Sequence, residues 1–144
     1  MKGNVLVLKD LPKNSKWCDK DHVMLLACFQ ILTDFLEKEK PQTIVDYSHD
    51  REHRKHWKEL QALYRYWKHD RHKQERQIDA LRRKWAKSRK TKMVPSLHPQ
   101  TVSHVVVSED RKTWRLLRSA ETRFEKLEEE MLLRLISVRK HLWC

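Results

Sequence analysis

At 144 residues the chain has the length of one ordinary domain, and its one glycine and four prolines are too few turn-formers for a sandwich, a barrel or a glycine-dependent nucleotide fold. Charged residues make up 36% of it, yet 39% hydrophobic residues and six tryptophans are too much apolar material for a disordered chain. The 32 Lys and Arg outnumber the 20 Asp and Glu to give a formal charge of +12, which draws nucleic acid, nucleotides or acidic proteins unless the lysines serve solubility alone.

The composition therefore predicts an all-α protein, residues 1–144 forming a single helical domain of a few long elements. Near the start, Asn4–Leu8 is a short apolar run followed by Pro12 and the Asn14–Ser15 pair, which reads as an extended piece and a turn. The β-branched run Ser103–Val107 is its candidate partner in a minor two-stranded β piece. Val5–Leu8 is too short for a signal-peptide core, and no apolar run approaches the roughly 20 residues that cross a bilayer, so no membrane role is expected. Cys18, Cys28 and Cys144 lack Cys-x-x-Cys spacing, which argues against a disulfide framework or a thiolate zinc site and fits a reducing cytosol.

A first helix is expected over residues 19–40, apolar at nearly every position from Val23 to Leu36, with Asp19 or Asp21 at its start and Pro41 ending it. Gln30, Thr33, Asp34 and Glu37 fall on one narrow polar stripe, so neighbours should cover the other sides. A second helix is expected over residues 50–90, roughly 60 Å at about 1.5 Å per residue. Steps of three and four from Trp57 lead through Leu60, Tyr64, Trp67, Arg71, Gln74, Ile78, Leu81 and Trp85, a seam that should flex or meet a polar partner at Arg71 and Gln74. Met93–Val107, with Pro95 and Pro99, must be the reversal. A third helix is expected over residues 108–143, with Ser108 as cap, Glu109 and Asp110 in the first turn, and an apolar side from Trp114 and Leu117 to Leu142. Matching lengths predict that helices two and three form a long antiparallel hairpin, with the shorter helix one packed at its base.

The charge is concentrated in one place. Between Arg65 and Lys92 twelve Lys or Arg face three acids, so nine of the twelve excess charges sit in 28 residues. In the hairpin these lie beside the start of helix three, and the expected binding set is Arg82, Arg83, Lys84, Lys87, Arg89, Lys90, Lys92, Arg111, Lys112, Arg115 and Arg118. Arginine forks take phosphate oxygens in pairs, and an exposed Trp85 or Trp114 can stack on a base, unless the two indoles clasp each other.

Two other constellations are weaker. His49, His53 and His56 share one helix face, but the first and last lie about 10 Å apart along the axis, so a metal would need a distant ligand such as His22 or His141. Asp34, Glu37 and Glu128–Glu130 can be read as a magnesium cluster of the kind all-α nucleotide pyrophosphohydrolases use, but the triple glutamate points three ways with basic residues within a turn. No metal or cofactor is expected, and no Gly-x-Ser-x-Gly, His-Glu-x-x-His or P-loop spacing suggests an enzyme.

Residues 17–39, WCDKDHVMLLACFQILTDFLEKE, and residues 128–143, EEEMLLRLISVRKHLW, resemble small uncharacterised helical proteins encoded by tailed bacteriophages. The resemblance rests on Trp17, Asp19, Asp34, Phe35 and Glu37, and on Met131, Leu132, Arg134, Leu135, Ile136, Arg139, Leu142 and Trp143. It covers about a quarter of the chain and excludes the basic middle. It implies a phage origin, hence the host bacterial cytoplasm or the virion, and places the acidic stripe of helix one near Arg134 and Arg139 as ion pairs. The resulting expectation is a non-enzymatic protein that binds an anionic partner, nucleic acid foremost, through a basic hairpin tip. The alternatives are an oligomeric interaction protein, as a virion component or an inhibitor of a host protein, and a protein that sequesters a nucleotide.

Overall fold

The computed structural model describes residues 5–11, 18–97 and 101–142. The Pro12–Ser15 turn, Pro99, Cys144 and the Trp17 and Trp143 of the phage resemblance lie outside the described residues. The fold is mainly helical with a small antiparallel sheet: α1 spans Lys20–Asp34, α2 Arg51–Arg65, α3 Arg71–Ser88, β1 Lys90–Pro95, β2 Val102–Ser108 and α4 Arg111–Val138. No helix among the described residues is long and apolar enough to cross a membrane.

The chain forms two compact units. The first comprises residues up to Asp70 together with Glu128 onward, and the second runs from Arg71 to Leu127. In the first unit, α1 follows Asp19 and widens into a π-helical turn at Phe35–Glu39. Lys40 then adopts a left-handed conformation with φ 50°, which costs a residue bearing a Cβ on the order of 1 kcal/mol, and the buried Pro41 prevents the helix from continuing. Phe29 and Leu32 from α1 and Phe35 from the π-helical turn are buried, as are Leu60, Leu63, Tyr66, Trp67, Leu135 and Val138. Phe29 is the centre of this core: the Trp67 ring stacks on it at 4.4 Å, and Tyr66 tilts against it at 6.2 Å. The polar stripe is only partly at the surface, because Gln30 and Thr33 are buried; Thr33 satisfies itself on the Phe29 carbonyl and Gln30 on Asp34.

The second expected helix is interrupted. A π-helical turn at Tyr66–Asp70 separates α2 from α3, and such a turn adds one residue to the helical repeat. Within α2, Leu63 takes the fully buried place that the heptad assigned to Tyr64, three residues after the buried Leu60, and at the inserted turn Tyr66 and Trp67 are both buried. Tyr64 lies at the rim, its hydroxyl donating to Glu37 Oε1 at 2.7 Å.

The ion pairs also differ from expectation. Arg134 does not meet the acids of α1; its Nε and Nη2 donate to the two oxygens of Glu59 at 2.6 and 2.9 Å, while Arg139 donates to the Ile136 carbonyl. Asp34 instead pairs with Lys38, and Glu37 with Lys68.

In the second unit the expected polar middle of the seam is present. Arg71 is 7% exposed, sits over the Phe124 ring at 5.5 Å and reaches Glu75 at 2.7 Å. Ile78, Thr113 and Leu117 supply the rest of a thin core. The strand expectation needs correcting: residues 5–8 have no regular structure, and β2 pairs with β1 in the order Lys90 to Ser108 through Pro95 to Val102. Two runs close in sequence lose less chain entropy on pairing than two runs about a hundred residues apart. The cap of the last helix needs correcting too. Asp110, rather than Ser108, takes the Thr113 amide and hydroxyl at 3.1 and 2.6 Å, and Ser108 ends β2.

Candidate nucleic-acid interface

The expected basic residues all lie in the second unit, at the end of α3, on β1 and at the start of α4. Ser88 holds these elements together: its hydroxyl donates to the Trp85 carbonyl at 2.7 Å and accepts the Asp110 amide at 3.0 Å. The Trp85 indole donates to Glu109 at 3.3 Å, and Arg89 covers its ring at 4.8 Å. Trp85 and Trp114 make no ring contact with each other among the described residues, and Trp114 is 41% exposed.

Helical spacing distributes the cations around the unit rather than on one plane. Arg83 and Lys87, four apart, share the face of α3 that turns away from Ile78. Arg111, Arg115 and Arg118 form a stripe on α4 opposite the inward Thr113 and Leu117. Lys90 and Lys92, two apart, point to one side of the ribbon, whereas Arg89 precedes it and stacks on the indole. The structure therefore makes a basic collar about the paired helix ends.

Acids neutralise this collar unevenly. Arg82 is held between Asp79 and Glu121, each at 2.9 Å, and Arg118 shares Glu121 at 3.4 Å. Asp110 is engaged as the α4 cap, and the Thr113 bonds hold its carboxyl below the usual range. Among the described residues, Arg83, Lys84, Lys87, Arg89, Lys90, Lys92, Arg111, Lys112 and Arg115 have no acid within ion-pair distance, and all nine are exposed.

The two weaker constellations are placed as follows. His53 bonds Asp50 at 2.8 Å, and the His56 ring stacks on His141 with centroids 3.5 Å apart. Burial, and then the neighbouring His56, hold the His141 imidazole below its ordinary value. Asp34 and Glu37 turn to their own basic partners, and no group of three metal-ligating side chains exists among the described residues.

One feature escaped sequence reasoning. Arg51, Arg54, Lys55 and Lys58 follow the i, i+3, i+4, i+7 spacing of a single helix face and line an open groove of about 580 Å³ with Glu59 and Ala62. The spacing was visible, but Asp50, Glu52 and Glu59 dilute the local net charge of this stretch. Only the structure shows that Asp50 is committed to His53 as the α2 cap and Glu59 to Arg134.

No protein-family model, curated protein or solved structure matches this chain.

Proposed function

We propose that this is a non-enzymatic protein of bacteriophage type that binds nucleic acid through the phosphate backbone, acting in the host bacterial cytoplasm. The observation that carries the reading is the set of nine exposed cations, from Arg83 to Arg115, that have no acid within ion-pair distance among the described residues. Unopposed Lys and Arg release condensed counterions from phosphates, a gain that cations already paired with carboxylates do not provide. The fork of Arg83, Arg111 or Arg115 also fits phosphate oxygens in pairs. The proposal includes one long antiparallel hairpin with α1 at its base. Its support is an antiparallel helix pair inside each unit, with Glu59 opposite Arg134 and His56 opposite His141 in the first, and Arg71 opposite Phe124 and Ser88 opposite Asp110 in the second.

The test is fluorescence anisotropy of a labelled oligonucleotide, single-stranded or duplex, titrated over a range of salt. Affinity should fall steeply with salt, and an Arg83→Ala/Lys87→Ala double variant should flatten the log-log slope by roughly 1.4 to 1.8, from about 0.7 to 0.9 per contact. It should weaken binding to unrelated sequences equally, since phosphates carry no base information. Absence of binding at low salt refutes the proposal.

A second reading, an oligomeric interaction protein, is favoured by one observation. Val102, Val105, Val106 and Val107 of β2 and Met93 of β1 are all exposed, and a two-stranded ribbon is marginal by itself in water. Light scattering that gives a dimer, abolished by Val105→Lys, would support it; a monomer at high concentration would remove it.

A further inference from the structure

We propose that the outer face of α2, together with the Tyr47–Trp57 ring pair, is a second nucleic-acid site that takes a short single-stranded segment, its phosphates on the α2 cations and a base against the rings. The inference rests on the nucleic-acid reading above and adds to it a location and a strand form.

The groove is unopposed for structural reasons. Arg51, Arg54, Lys55 and Lys58 have no acid within ion-pair distance among the described residues, and the one carboxylate lining the groove, Glu59, has both oxygens occupied by the Arg134 fork. Arg134 thus removes the groove's acid and leaves its four cations facing solvent. From Arg51 to Lys58 the stripe covers about 10 Å of helix, longer than a single phosphate requires.

Arg54 belongs to two concavities. Besides the groove, it lines an open pocket of about 600 Å³ with Gln42, Tyr47 and Trp57. There the Tyr47 and Trp57 rings lie nearly parallel at 4.4 Å, a stack that holds both planes rigid. The carboxylate at this pocket, Asp46, has its Oδ1 engaged by the amide and hydroxyl of Ser48 at 2.8 and 2.6 Å. An arginine between a row of cations and a fixed aromatic plane matches the two parts of a nucleotide. Phosphates follow the cations, and every base has a π-face to lay on a ring.

A single strand satisfies this arrangement better than a duplex, whose bases are already stacked and whose faces are closed to a side chain. An acidic peptide would meet the cations but leave the ring pair without a partner.

The experiment uses the full chain and a fluorescein-labelled twelve-residue oligodeoxyadenylate, with duplex DNA, adenosine monophosphate and polyglutamate as competitors. Arg54→Ala/Lys58→Ala should flatten the salt slope by roughly 1.4, from about 0.7 per single-strand contact. Tyr47→Ala should weaken binding about five- to a hundredfold, and Tyr47→Phe should bind as the parent does, because stacking uses the ring and not the hydroxyl. Circular dichroism melting curves matching the parent's show that these surface variants fold. If the α2 variants bind like the parent while Arg83→Ala/Lys87→Ala is weakened, the second site is refuted and the collar stands. The reverse pattern refutes the collar and keeps this site, and no binding by the parent refutes both. Equal competition by adenosine monophosphate means a free-nucleotide site, equal competition by polyglutamate means a protein-docking surface, and either result overturns the single-strand assignment.

Discussion

Leu63→Ala tests which face of α2 enters the core. A heptad continued from Trp57 puts Tyr64 inside, whereas the structure leaves Leu63 with 0% exposure and Tyr64 at the rim. Removing a fully buried leucine side chain forfeits its transfer free energy and opens a cavity, a loss of about 2 to 5 kcal/mol. For a chain of this length each kcal/mol moves the melting temperature by about 2 to 4 °C, so the midpoint should fall by about 4 to 20 °C. Tyr64→Phe removes only one surface hydrogen bond to Glu37 and should cost about 1 kcal/mol or less. Gln61→Ala, exposed on the same helix, should be near neutral. Urea and thermal unfolding followed by far-ultraviolet circular dichroism measure all three. If Tyr64→Phe costs more than Leu63→Ala, or Leu63→Ala costs under about 0.5 kcal/mol, the inward placement of Leu63 is wrong.

Other perturbations probe separate contacts. Arg134→Ala should destabilise by about 1 to 2 kcal/mol, between the values for exposed and buried pairs, since the pair is only about a third exposed; chemical denaturation that shows no loss counts against the fork. The Arg134 hydrogen bond holds the Glu59 carboxyl below its ordinary value of 4.5, so its contribution is fully present above that pH and is lost as pH falls through the lowered value. The stability gap between the parent and Glu59→Gln should therefore close on acidification below about pH 4.5, and a gap that is constant with pH contradicts it. Gln74 Oε1 is buried without a hydrogen-bond partner among the described residues, so Gln74→Met, similar in volume, should raise stability by about 1 kcal/mol; a lower melting temperature would point to a partner for that oxygen. Arg82→Ala should change the salt slope for nucleic acid less than Arg83→Ala, because Asp79 and Glu121 already hold Arg82, and equal changes would show those ion pairs open on binding. Burial pushes the Cys28 thiol up, so its alkylation at neutral pH should be slower than that of a free thiol reagent, as a timed mass spectrum can show.

The sequence alone sufficed for helical class, helix order and the place where charge collects. These follow from local physics: apolar spacing selects a helical face, Pro41 stops α1, and Lys and Arg counts need no coordinates. Even the weak point at Arg71 and Gln74 was legible, as polar residues in an apolar seam. The π-helical turns were not, because a residue inserted in the helical repeat is recognised only by what packs against it; here Phe29 accepts Trp67 and Tyr66 together. Strand pairing was misread since two β-branched runs say nothing of which neighbour each takes. The pairing of charges distant in sequence belonged to the tertiary structure. Glu59 and Arg134 are 75 residues apart, and Arg82 and Glu121 are 39. A sum over sequence cannot show which acids are already engaged, and so which cations, in the collar and on α2, remain open to a phosphate.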